Sequence, residues 1–132
     1  CSPALLARLP LDKPADLRHH TLIHHETSER PGSPPHWRDW LKAAHVGNVE
    51  VTRGPLFESI YMSLEAAQAG HGVALTPAPL VATDLASGRL VKPLTLEIAN
   101  PYAFWIVCPR QHLQDPKVKA LSAWLVEQAQ QQ

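Results

Sequence analysis

Apolar residues recur along this chain with two different periods, and the alternation between those periods lays out a fold. Trp37, Trp40, Leu41 and Ala44 fall at helical spacing in "HWRDWLKAAHV", and Gly47 is placed to stop that helix. Ile60, Leu64 and Ala67 line one face of a second helix, after which Gly70-His71-Gly72 turns the chain into "VALTP". A further helix is expected through "LVATDLASG". A terminal one runs from about Pro116 to Gln131, with Val118, Leu121, Trp124 and Leu125 on one face. "PALLARL" and "PADLRH" read as short helical turns with proline at or near each start. Between them lie strand-like runs: "TLIHH" (Thr21 to His25), "NVEVTRG" with Val49 and Val51 alternating, "VALTP", "RLVKPL", and the most hydrophobic, "YAFWIVCP". "ETSERPGSPP" is a loop by its Ser, Gly and Pro content. Strands separated by helices of this length predict βαβ units on a mainly parallel sheet, an α/β fold.

Length and charge narrow the classes. At 132 residues the chain buries one core or two small lobes. Twelve basic residues balance twelve acidic ones, which argues against this segment itself gripping nucleic acid through a basic face. No apolar run approaches the length of a membrane span, and "HGVALTPAPLV" is broken by prolines. Of the two cysteines, Cys108 lies in an apolar run and is expected to behave as a small buried hydrophobe, which suits a reducing compartment. Cys1 stands where a methionine would begin a chain. An N-terminal nucleophile, a lipidated terminus and a cut inside a longer chain all fit, and the cut is the plainest.

The histidines in "HHTLIHH" raise the question of a metal site. Adjacent strand residues point to opposite faces, so His24 and His25 are poorly placed to share an ion, and no carboxylate or cysteine cluster completes a set. No metal site is expected. Gly70-His71-Gly72 follows a helix and opens a strand, the reverse of a phosphate loop, so these glycines are expected to cap the helix and turn the chain. Ser59 has no nucleophile elbow around it, and no Ser, His and Asp are linked by spacing, so no catalytic residues are expected. What Ser59 has is position, in the first turn of a helix that follows a strand, where free N–H groups favour a polar or anionic ligand. Its plain structural alternative is that Ser59 or Glu58 caps the helix. Thr76 after "VAL", and Thr27 or Ser28 after "LIHHE", would lie along the same carboxyl edge, where open α/β sheets bind ligands.

Taken together, "CSPALLARL", "PADLRHHTLIHH", the "W..WLKAAHV" run, "GPLFES…EAAQAGHGVAL" and "L..GRLVKPL" resemble the effector-binding domain of LysR-type transcriptional regulators. The subgroup most similar is that of the glycine-cleavage activator and the β-lactamase-inducing regulators. The resemblance spans nearly the whole chain and rests on the combination, since no single piece would suffice. It implies a type II periplasmic-binding-protein-like fold and a cytoplasmic regulator that is not an enzyme and needs no cofactor. Residues 1–109 would be the second effector-binding subdomain, and 110–132 a C-terminal helix that packs on a first subdomain absent from these residues. A small-molecule effector would sit in the cleft between subdomains. By family position Ser59 and Tyr102 match effector contacts, with Phe57, Thr76 and Thr27 as wall residues. For Tyr102 the alternative is a half-buried strand-end aromatic with a wet hydroxyl. The full-length protein would self-associate as a dimer or tetramer and reach promoter DNA through an absent N-terminal winged helix-turn-helix, with no membrane contact. "ETSERPGSPP" departs from the family pattern by its length and prolines, which leaves effector identity open. The competing class is a lobe of a periplasmic solute-binding lipoprotein, and a third is an interaction module built on the terminal helix.

Overall fold

The computed structural model describes residues 1–26 and 34–130. The chain divides into two units, 1–102 and 103–132, and each is taken by itself. In the first, strands β1 (Leu22–His25), β2 (Leu56–Phe57) and β3 (Val73–Ala74) form a sheet in the order β2-β1-β3. Both pairings are parallel, with His25 opposite Phe57 on one side of β1 and Ile23 opposite Ala74 on the other. Helices α1 (Pro3–Arg8), α2 (Trp37–Ala43), α3 (Ile60–Gln68) and α4 (Ala82–Ala86) surround it, with 3-10 turns at Pro14–His19 and Ala78–Leu80. The second unit holds a 3-10 turn at Arg110–His112 and helix α5 (Pro116–Gln130).

The central strand is buried on both faces, which is why "LI" reads as apolar run rather than alternation. Leu22 joins a core with Leu17, Trp37, Trp40, Leu41 and Val73. Ile23, one residue on, joins a second core with Leu64, Ala67, Val81 and Leu90. The helices thus divide between the two faces, α2 with Leu22 and α3 with Ile23. Burial of each of the leucine, isoleucine and valine side chains is worth about 1.5–3 kcal/mol. The tryptophans of α2 do more than fill space. Trp37 Nε1 donates to the carbonyl of Ile23 at 3.0 Å, Trp40 Nε1 donates to that of Leu96 at 3.2 Å, and their rings meet edge-on at 6.1 Å.

Two glycines let neighbouring chain come close to β1. A Cβ on Gly54, whose φ is +146°, would stand 1.9 Å from the Leu22 carbonyl oxygen, and one on Gly72 would stand 2.3 Å from that of Thr21. Gly70 ends α3, as expected, with φ +78°. Its N–H donates to Ala67 and that of His71 to Ala66, both at 3.0 Å, a Schellman closure. Helix α2 closes in the same way, but not at Gly47. His45 takes the left-handed position at φ 55°, and the N–H groups of His45 and Val46 reach Lys42 and Leu41. The stop therefore falls two residues earlier than the glycine suggests, because hydrogen-bond closure decides the end of the helix.

Three expected strands are not strands. In "NVEVTRG" Val49 and Val51 do pack against the first core while Glu50, Thr52 and Arg53 face solvent, yet the backbone joins no ladder. Alternating burial is met here by irregular chain, with a turn at Val51 and Thr52, lying on the core. In "RLVKPL" the one ladder-like contact among the described residues is a reciprocal pair with Cys1, the Val91 N–H donating to the Cys1 carbonyl at 2.8 Å and the Cys1 nitrogen to the Val91 carbonyl at 3.1 Å. Pro93 has no N–H to continue it. "YAFWIVCP" pairs with no strand among the described residues. Phe104, Trp105 and Val107 are 76–87% exposed, and Cys108 is half-buried, contrary to a core strand. An apolar run supplies the burial for a strand but not the neighbour.

Two substitutions check this account. His45→Gly, by removing a left-handed side chain, is expected to raise stability by about 1 kcal/mol in urea denaturation. Gly54→Ala should lower it by at least about 2 kcal/mol, and an unchanged midpoint would refute the close packing on Leu22.

Candidate functional site

All three strands run in one direction, so their carboxyl ends share one edge. Phe57 ends β2, half-buried against the second core, and the ladder extends one step further through the Glu26 N–H to the Phe57 carbonyl at 2.7 Å. Two residues on, Ser59 is the N-cap of α3. Its Oγ accepts from the Tyr61 N–H at 3.3 Å and its carbonyl from the Ser63 N–H at 3.2 Å. The capping alternative is therefore real, and Ser59, not Glu58, performs it. It does not exclude ligand contact, since the hydroxyl keeps a proton to donate while its oxygen accepts.

Thr76 lies two residues past β3, on the far side of β1. With adjacent strands about 4.8 Å apart, the β2 and β3 ends stand roughly 10 Å from each other, so Thr76 and Ser59 flank the edge rather than touch. The Thr76 hydroxyl oxygen is enclosed and has no hydrogen-bond partner. Tyr102 closes the first unit with its side chain largely exposed, its backbone N–H donating to Asn100 Oδ1 at 3.0 Å. Among the described residues no hydrogen bond or ring contact joins it to Phe57, Ser59 or Thr76. Thr27, and Ser28 with it, lie outside the described residues.

Sequence reasoning put Thr27 or Ser28 after β1 on this edge but missed the two histidines that precede them. His24 and His25 are half-buried there, and His24 Nε2 is enclosed without a partner. Burial lowers the pKa of both imidazoles from the ordinary value, with the positive field of His36 as a further cause and, for His25, that of His24. The signal was present in "LIHH": polar rings placed directly after a doubly buried pair inherit part of its burial. Among the described residues no group of three metal-ligating side chains comes together, and no helix is long and apolar enough to cross a membrane. His71 is exposed at its corner.

A parallel α/β sheet that presents a polar helix start at its carboxyl edge is the architecture of the type II periplasmic-binding-protein-like effector domains. The match is direct. The effector-binding domain of AmpR from Citrobacter freundii superposes with a TM-score of 0.76 at 28% identity, covering 100% of this chain and 62% of that one. The effector domain of AmpR from Pseudomonas aeruginosa gives 0.71 at 31% identity, covering 96% and 57%. The family model for the LysR substrate binding domain matches residues 1–130, and the chain belongs to that family. Among curated relatives, the glycine cleavage system transcriptional activator of Escherichia coli K12 is 33% identical over 130 residues, 98% of this chain and 41% of that protein. Its homolog in Haemophilus influenzae is 30% identical over 131 residues, 99% of this chain and 42% of that protein. The chain thus spans about two fifths of the length of these curated relatives.

The histidine pair makes the edge sensitive to acid. Because the folded pKa values lie below the unfolded value of about 6.5, the unfolded chain binds more protons in that interval. Stability is then fully present above about pH 6.5, falls as pH drops below it, and levels off once the folded groups are protonated. Unfolding midpoints measured between pH 8 and pH 5 should show this decline, and His24→Gln with His25→Gln should flatten it. An equally steep decline in the double variant would assign the effect to other groups.

Proposed function

We propose that this chain is the effector-sensing part of a LysR-type bacterial transcriptional regulator, a cytoplasmic protein whose response to a small molecule alters DNA binding and transcription by its oligomer. Residues 1–109 supply one wall of the effector cleft as the second subdomain. The opposite wall and the DNA-binding region belong to parts of the longer relatives outside this chain, and the full-length protein assembles as a dimer or tetramer. The observation that carries the reading is the polar start of α3, capped by Ser59 on the carboxyl edge of the parallel sheet. That is where backbone N–H groups and a hydroxyl converge on a ligand in such folds. Phe57 gives the apolar wall beside it and Thr76 an enclosed hydroxyl in need of a partner. Thr27 is assigned to the same edge by its place after β1. Tyr102 joins the set through a parallel in the solved relatives. A variant of the Citrobacter freundii domain exchanges one serine for alanine and one tyrosine for phenylalanine, at the same sequence separation as Ser59 and Tyr102. No catalytic step, cofactor or metal enters this function, and ligand binding is its whole chemistry.

The test is made on the full-length regulator with a promoter reporter. Ser59→Ala and Tyr102→Phe should each weaken the effector response about tenfold or more while promoter binding persists. Ser59→Asn keeps a helix cap but not the hydroxyl, so it should lose the response with stability retained. The 132-residue chain alone should not shift duplex DNA. A fragment that did so with steep salt dependence would overturn the assignment.

A further inference from the structure

His25 ends β1 opposite Phe57, and two residues beyond Phe57 stands Ser59, the cap of α3. Residues two apart on a strand share a face, and paired residues of a parallel ladder point the same way. Ile23 and Phe57 both pack on the second core, so His25 lies on the face that α3 covers, at the end where that helix begins. It is only half-buried and so stays open to a ligand. The polar groups on this edge are rich in donors. Ser59 Oγ accepts from the Tyr61 N–H and keeps its own proton to give, and the Thr76 hydroxyl has no partner. Among the described residues the charges that act on His25 are those of His36 and His24, both of one sign. The other charged groups of the elements around β1 are engaged or exposed. Asp39 of α2 accepts from the His36 backbone N–H at 2.9 Å, and Arg53 before β2 pairs with Glu50 at 3.7 Å. Glu26, Arg38, Lys42, Glu58 and Glu65 are exposed, and β2 and β3 carry no titratable side chain. An edge that offers protons and lacks an acceptor suits an oxyanion.

We infer that His25 is a further effector contact, one that takes a proton from solvent as an oxyanion group of the effector binds beside Ser59. This rests on the effector reading of the same edge and adds to it the chemistry of the ligand and a dependence on pH. Burial, then the fields of His36 and His24, hold the imidazole neutral by lowering its pKa from the ordinary value. An anion reverses that balance, because its charge offsets the repulsion and favours the imidazolium. The sign follows from linkage. The bound state holds the extra proton, so affinity rises as pH falls and levels off once the free imidazole is protonated as well. His24 points to the opposite face of β1, toward α2, and acts on His25 through its field alone.

The test is isothermal titration of the full-length regulator with acetate, sulfate and acetamide at pH 8 and pH 6, repeated in two buffers of different ionisation enthalpy to count protons. Acetate or sulfate should bind about tenfold more tightly at pH 6, with net proton uptake, and neutral acetamide should show no such change. A preference for acetate identifies the effector group as a carboxylate, and one for sulfate as a phosphate or sulfate. His25→Gln should flatten the pH dependence. His25→Lys, charged throughout this range, should bring the affinity at pH 8 up to the value at pH 6, a rescue that a merely structural role would not give. Binding that ignores pH, or a pH dependence unchanged in His25→Gln, is that of an adventitious ion only and overturns the inference, as does failure of both anions to bind. The promoter response of Ser59→Ala judges the effector reading separately. Its loss together with pH-independent anion binding would leave that reading standing and remove this one.

Discussion

The first unit depends on one constraint, the close approach of flanking chain to the backbone of β1. Gly54 and Gly72 sit against the carbonyls of Leu22 and Thr21, where any side chain would collide with backbone that has nowhere to move. With those positions bare, the segments leading into β2 and β3 run beside β1 closely enough for parallel ladders to form. Each flanking strand has only two residues. Such short strands contribute little hydrogen bonding of their own, so the sheet is held mainly through β1 and the two cores that cover it. The crossover from β2 through α3 to β3 has to pass over β1, and this lays Leu64 and Ala67 on Ile23.

Much of this was legible in the sequence because periodicity and glycine chemistry are local. The burial of "LI", the apolar face of α3 and the Gly70 closure each follow from a few consecutive residues. What the sequence did not disclose is partnership. "NVEVTRG" shows the burial alternation of a strand without being one, "RLVKPL" takes its ladder-like pair from Cys1 rather than from a strand, and "YAFWIVCP" meets no strand among the described residues. Hydrophobic pattern reports which side chains leave water, whereas a ladder requires a second backbone at about 4.8 Å, often far away in the chain. His45 shows the same limit at small scale. A histidine in the left-handed position costs more than a glycine would, and packing of α2 through Trp37, Trp40 and Leu41 holds it there.

The site was legible to a similar depth. Ser59 was found from its position after a strand and before a helix, and it stands there as the cap of α3. Thr76 follows from the same edge logic. Phe57 and Tyr102 do not, since no periodicity or spacing leads to them, and only the family resemblance singled them out. The two histidines at the end of β1 were weighed as metal ligands and set aside, and the desolvated imidazoles they bring to the edge went unnoticed.

The enclosed polar atoms on this edge decide how the fold and the site are related. A buried donor or acceptor without a partner costs about 1–3 kcal/mol. Of the three such side-chain atoms among the described residues, His24 Nε2 and Thr76 Oγ1 belong to the carboxyl end of the sheet, and His20 Nδ1 lies elsewhere. His20 at least bonds through its other nitrogen, 3.2 Å from the Pro10 carbonyl. Among the described residues the uncompensated polarity is therefore concentrated at the edge where parallel sheets bind ligands. A bound molecule that satisfies it adds to stability by mass action, because the unfolded chain offers it nothing equivalent. A ligand that paired Thr76 Oγ1 or His24 Nε2 would therefore stabilise the fold through the same contacts that held it.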